Sequence, residues 1–173
     1  MAEDSEKSVI DSGDLDAGFV RGVAARKGGE GIRTCYSCGT CTASCPVRAA
    51  DPAFDPRKVL RMILLGMRDE VYKSEFMWMC AGCQACTDRC PQGVAVSDIM
   101  VILRNMAVEQ GIMHRSYVLQ IGELKKYGRL YEVTPYNKKR DKLSLPPLKD
   151  DLDPIVKILA GAGLDDPEGG GEK

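Results

Sequence analysis

All eight cysteines of this chain fall in two copies of one word, and nothing else in the sequence constrains the fold as strongly. The copies read Cys35-x2-Cys38-x2-Cys41-x3-Cys45-Pro46 and, 45 residues later, Cys80-x2-Cys83-x2-Cys86-x3-Cys90-Pro91. Three thiolates at this spacing reach one cubane iron–sulfur cluster from a tight local wrap, and the fourth points away from it. In two-cluster ferredoxins that fourth cysteine ligates the other cluster. The spacing therefore assigns Cys35, Cys38, Cys41 and Cys90 to a first [4Fe–4S] cluster, and Cys80, Cys83, Cys86 and Cys45 to a second. No cysteine is left over. Two [4Fe–4S] clusters imply a chain that carries electrons.

Other cysteine chemistries fit less well. Structural zinc sites are built from ligand pairs, whereas each word here offers three cysteines in seven residues and then a fourth before proline. Disulfides need an oxidising compartment, and residues 1–31 contain no apolar stretch of the kind that a secretory signal carries. A C-x-x-C redox pair has no use for a third thiolate at the same spacing.

A chain of 173 residues is one domain with tails, or two very small ones. No apolar run approaches the roughly 20 residues that span a bilayer; the stretch at 59–67 is broken by Arg61 and Gly66. The expectation is a cytoplasmic protein with no direct membrane insertion. Charge is unevenly placed: residues 32–145 hold 17 basic and 11 acidic side chains, and both ends are acidic. Bound thiolates are anionic, so two oxidised clusters add a charge of about −4 that this excess offsets. A nucleic-acid partner is not needed to explain it. Because a cluster site does not exist in the unfolded chain, its binding energy is folding energy, and the clusters should staple the centre of the molecule.

Helix signals flank both words. Residues 1–13 are polar and acidic and read as a disordered tail. Leu15, Phe19 and Val23 lie on one face of a short helix over 15–26, broken by Gly28, Gly29 and Gly31. In the 34-residue insert between the words, Asp55-Pro56 reads as N-cap and N1, with Val59, Ile63 and Met67 as an apolar stripe. A second helix over 71–79 should run into Cys80. Ser97 or Asp98 caps a further helix carrying Ile99, Ile102, Leu103 and Met106 and ending near Gly111. The next spans 116–127, with Tyr117, Ile121 and Leu124 inward, Lys125 and Lys126 in its last turn and Gly128 at C′. Beyond Thr134, Pro135, Pro146 and Pro147 interrupt a basic stretch. Asp153-Pro154 then opens a short helix with Ile155, Ile158 and Leu159, ended by Gly161 and Gly163, and residues 169–173 read as disordered. No hairpin signal is present. The expected fold class is all-α: a helical ferredoxin with two cluster-binding turns between helices and extended N- and C-terminal tails. The division expected is a tail over 1–13, a two-cluster domain over 14–132, and an extension over 133–173 that could dock on another subunit.

The words Cys35-Tyr-Ser-Cys-Gly-Thr-Cys-Thr-Ala-Ser-Cys-Pro and Cys80-Ala-Gly-Cys-Gln-Ala-Cys-Thr-Asp-Arg-Cys-Pro resemble those of the C-type component of heterodisulfide reductase. So do the helical insert between them and the run Phe76-Met-Trp-Met before the second. The resemblance spans about residues 15–130, and all eight ligand positions match. It implies a hetero-oligomer in which this chain relays electrons between a flavin- and cluster-bearing A-type subunit and a B-type subunit. The latter cleaves the mixed disulfide of coenzyme M and coenzyme B at Cys-Cys-containing sites. This chain has no adjacent cysteines, so no catalytic residue is expected on it. The same helical module also serves succinate dehydrogenase and glycolate or glycerol-3-phosphate oxidation systems. A quinone-linked oxidoreductase, or a non-redox protein with structural clusters, is the alternative.

Further expectations concern the surroundings of the clusters. Backbone amides at Gly39 and Gly82 could donate to cluster sulfur, or the glycines could simply permit the turns. Arg33, Arg48 and Arg89 lie near ligands and would favour a reduced cluster, unless they are ordinary surface charges. Two of Met77, Trp78 and Met79 should face inward, as a screen for the second cluster or as plain core. Pro46 and Pro91 should stop the local wrap. His114 is given no role. No nucleophile–base pair, phosphate loop or dinucleotide fingerprint is present.

Overall fold

The computed structural model describes residues 10–148 and 152–164. Most of the tail expected over 1–13, and all of the disordered end expected over 169–173, lie outside the described residues. Among those residues there is no strand. The elements in chain order are α1 (Phe19–Ala24), α2 (Thr40–Ala43), α3 (Pro46–Ala50), α4 (Pro56–Leu64), α5 (Arg68–Lys73), α6 (Phe76–Met79), α7 (Ala85–Asp88), α8 (Val96–Val108), α9 (Arg115–Tyr127), α10 (Thr134–Asp141) and α11 (Asp153–Gly161), with short 3-10 turns at Ser12–Asp14 and Glu30–Thr34. Contacts divide the chain into two compact units that meet in sequence at Ala107 and Val108.

The first unit is built around two amphipathic helices and the words they follow. Pro56 opens α4 at its first turn, where a missing N–H costs nothing, and the Asp55 carboxylate accepts from the Lys58 amide. Val59, Leu60, Met62 and Ile63 then enter the core. From α8 come Val96, Ile99, Met100, Ile102, Leu103 and Ala107. Phe19, Val23, Ile32, Val71, Tyr72 and Met77 complete one continuous cluster, with Phe19 edge-on to Tyr72 at 5.7 Å between centroids. Burying each large aliphatic or aromatic side chain of this kind is worth about 1.5–3 kcal/mol.

Two local expectations are corrected here. Leu15 lies ahead of α1 and is partly exposed, because the Asp16 carboxylate accepts from the Gly18 amide and turns the chain before the helix starts. The helix expected over 71–79 is two pieces. The Ser74 hydroxyl bonds the Val71 carbonyl and its amide bonds Glu70 and Val71, ending α5 before α6 begins. Of the three residues before Cys80, Met77 is fully buried and Trp78 packs on the core from its edge.

The second unit holds α9, α10 and α11. His114 caps α9, its Nδ1 accepting from the Ser116 amide at 3.3 Å, and Gly128 ends it in the left-handed conformation with φ 65°. Ile121 of α9 and Leu159 of α11 are the buried residues of two helices that pack together. Pro135 does not interrupt the basic stretch. It sits in the first turn of α10, the position where proline fits a helix.

Candidate iron–sulfur site

Each cysteine word folds into the same turn, and the backbone shows why. Two residues in each word take positive φ: Ser37 (62°) and Gly39 (88°) in the first, Gly82 (65°) and Gln84 (64°) in the second. These are equivalent positions, the second and fourth after the leading cysteine. A one-turn helix follows each, α2 holding Cys41 and α7 holding Cys86, and these two short helices pack on each other. A left-handed residue beside a right-handed one is the backbone of an anion-binding nest, and Gly39 before Thr40 and Gln84 before Ala85 are such pairs. The glycine at each pair is on opposite positions in the two words, so the geometry, not the residue type, is what repeats.

A duplicated pin holds each turn to the helix after it. Thr42, next to Cys41, donates to Asp55 Oδ1 at 2.6 Å and accepts from the Arg57 amide at 3.0 Å, tying the first turn to the start of α4. Thr87, next to Cys86, accepts from the Ser97 amide at 3.1 Å and ties the second turn to α8. Arg104 adds a clamp on the second side, donating to the carbonyls of Met77 (2.6 Å) and Cys80 (2.7 Å). The recurring Cys-Thr pair could have signalled the pins in the sequence; nothing there marks Arg104.

All eight cysteines are free of disulfides. Cys41 is buried, Cys38 and Cys83 are exposed, and the rest are half-buried. Cys45, from the first word, lines a cavity together with Cys80, Cys83 and Cys86 from the second. Its remaining walls are mostly apolar: Phe54, Pro56, Val96 and Met100 among them. Four cysteines on a mostly apolar lining suit a sulfur-rich, weakly hydrated group. No three His, Cys, Asp or Glu side chains among the described residues close on a single-ion site.

On the first side, the Ser37 hydroxyl is the one buried side-chain oxygen or nitrogen among the described residues that has no hydrogen-bond partner. An orphaned donor in the turn of Cys35, Cys38 and Cys41 fits a sulfur acceptor. The Thr40 hydroxyl lies 3.4 Å from Cys38 Sγ and holds that thiol below its ordinary pKa. Burial pushes the Cys41 and Cys86 thiols up, although Ser97 Oγ stands 3.5 Å from Cys86 Sγ. Buried thiols of this kind ionise readily only beside positive charge, such as that of bound iron. An open groove beside the first turn is lined by Cys35 and Tyr36 and by Arg57, Lys58 and Arg61 of α4. Of the three arginines expected near ligands, Arg48 donates to the carbonyls of Pro52 and Phe54, where it braces a loop. Arg33 and Arg89 are exposed. Pro46 opens α3 behind Cys45, so it starts a helix as well as ending the wrap.

The geometry agrees with what the chain is similar to. A model of the 4Fe-4S dicluster domain matches residues 31–94, a span that contains both words. The C-type component of the H(2):CoB-CoM heterodisulfide,ferredoxin reductase of Methanothermobacter marburgensis is 30% identical over 176 residues, covering 92% of this chain and 90% of that one. An iron-sulfur C-type component of the CoB--CoM heterodisulfide reductase of Methanocaldococcus jannaschii is 46% identical over 97 residues, 53% of this chain and 51% of its own. Its counterpart in Methanopyrus kandleri is 41% identical over 86 residues, 50% of this chain and 44% of its own. No described helix is long and apolar enough to cross a membrane. This chain therefore belongs to the C-type subunits of heterodisulfide reductase, helical ferredoxins that serve as iron–sulfur electron-transfer subunits of a multi-subunit oxidoreductase.

Proposed function

We propose that the chain holds two [4Fe–4S] clusters in crossed sets, Cys35, Cys38, Cys41 and Cys90 for the first and Cys80, Cys83, Cys86 and Cys45 for the second. The observation that carries this reading is the cavity in which Cys45 joins the three leading cysteines of the other word. When bound, each cluster supplies a site that takes up and gives back one electron. The residues of the chain do the rest. The paired turns α2 and α7 bring the two sites side by side. Phe54, Val96 and Met100 keep water from the second, and the nest amides and hydroxyls stabilise negative charge at the sulfurs.

In this reading the chain is a cytoplasmic wire with no catalytic residue of its own. It passes electrons between a flavin- and cluster-bearing A-type subunit and a Cys-Cys-rich B-type subunit that reduces the CoM-S-S-CoB disulfide. The extension over 133–173 is an arm that docks on a partner, supported by the exposure of Leu143, Val156 and Ile158 on it. Anaerobic purification tests the whole reading. It should yield about eight irons and eight sulfides per chain, absorbance that dithionite bleaches reversibly, and co-purifying A- and B-type subunits. Zinc, or half that iron, would end the two-cluster reading. Unaltered assembly after removal of residues 146–173 would end the role of the arm.

A further inference from the structure

The two turns carry cysteines at the same spacing on the same backbone, and a buried hydroxyl is among the groups that set them apart. Two residues after the leading cysteine, the first turn has Ser37 at φ 62° and the second has Gly82 at φ 65°. Glycine is the default residue for that conformation, and a side chain there is disfavoured. The first turn nevertheless carries a hydroxyl, buried and without a hydrogen-bond partner. Other hydroxyls already stand on thiols: Thr40 3.4 Å from Cys38, Tyr36 and Thr42 bonding Cys38 and Cys41, and Ser97 3.5 Å from Cys86. Ser37 differs from all of them: its hydroxyl is buried and has no partner.

We infer that the Ser37 hydroxyl donates a hydrogen bond to a sulfur of the cluster held at Cys35, Cys38 and Cys41, and that its lack at Gly82 places the first cluster above the second in reduction potential. The inference rests on the two-cluster reading. A donor to sulfur stabilises the added negative charge of the reduced cluster, and so raises its potential. An electron shared between the two sites then rests at the first, on the side of the groove lined by Arg57, Lys58 and Arg61. Ser37 is a positioning residue for charge, not a ligand.

A reciprocal exchange tests it in the anaerobically purified, cluster-loaded protein. Ser37→Gly removes the hydroxyl and relaxes the turn, so loss of fold is not expected. Gly82→Ser introduces one where an added Cβ meets nothing within 4 Å. Redox titration followed by electron paramagnetic resonance reads both midpoints. The signals are assigned with Cys38→Ser, which alters the first turn whichever way the fourth cysteines pair. The expected result is a lower first midpoint and an unmoved second in Ser37→Gly, with a higher second midpoint in Gly82→Ser. Unmoved midpoints in Ser37→Gly, or equal shifts of both, overturn the inference. Should neither cluster accept an electron, the relay fails, and resonance Raman of the oxidised protein decides Ser37 alone. Its Fe–S stretching bands should shift on exchange into D2O, and Ser37→Gly should lose part of that shift. An identical isotope shift in the two proteins overturns it.

Discussion

The turn that follows Ile32 and the turn that follows Met79 share spacing, backbone handedness and a threonine pin, yet they are furnished differently. The first is held to α4 through Asp55, an ionisable group, and opens onto a groove lined by that carboxylate and by Arg57, Lys58 and Arg61. The second is held to α8 by a hydroxyl and an amide, is clamped by Arg104, and faces an apolar chamber. Duplication fixed what the iron needs. What most distinguishes the two turns from one another lies outside the cysteines.

The largest effects should come from the fourth ligands, which test whether the turns are truly interlocked. Cys45→Ser should cost the second cluster and spare the first, and Cys90→Ser should do the reverse, each lowering iron from about eight to about four per chain. Electron paramagnetic resonance showing each variant losing the cluster of its own word would break the comparison at its root.

Next come the pins. Thr42→Val removes two hydrogen bonds whose partners, Asp55 and the exposed Arg57 amide, can turn to water, so each is worth about 0.5–1 kcal/mol. Thr87→Val removes one but leaves the amide of the buried Ser97 unpaired, a loss of about 1–3 kcal/mol. Denaturant titration of the cluster-loaded protein should therefore rank Thr87→Val as the less stable; the opposite order would place the main anchor at α4.

The smallest effect is a difference in acid sensitivity. Burial works to raise the Asp55 pKa, but the Thr42 hydroxyl, the Lys58 amide and the nearby Arg57 and Arg48 outweigh it and hold the carboxyl below its ordinary value. A carboxyl depressed on folding stabilises the native state fully above its unfolded pKa of about 3.9, and that contribution disappears as pH falls through the lower folded value. Below about pH 4 the first site should loosen before the second. Asp55→Asn should abolish the difference in the rates at which the two clusters bleach; a difference that survives would exclude Asp55 as its source.

How far the sequence could be read follows the strength of each local rule. The cysteine words were legible because metal geometry dictates their spacing, and α4 and α9 because end signals and stripes coincide. The stripes of α8 and α11 were legible too, but their caps were not: α8 begins at Val96, ahead of the expected caps Ser97 and Asp98, and α11 begins at Asp153 itself, with Leu152 in the cap position. The start of α1 and the break between α5 and α6 were not, since Asp16 and Ser74 act there through backbone bonds that leave no periodic trace. Pro135 misled, because an interruption and a first-turn proline look alike until the residues after it are seen to coil. At the site, the chamber walls Phe54, Val96 and Met100 and the clamp Arg104 depend on chain segments far apart in sequence. No local pattern announces them.

The chamber shared by Cys45 and the second word also has a consequence for how the protein is made. A ribosome delivers Cys45 long before Cys80, Cys83 and Cys86 have emerged, so under the proposed crossed pairing its thiol must wait for most of the helical core to follow. That pairing would couple cofactor insertion to completion of the fold, and a chain truncated between the two words should offer the maturation machinery no finished site to fill.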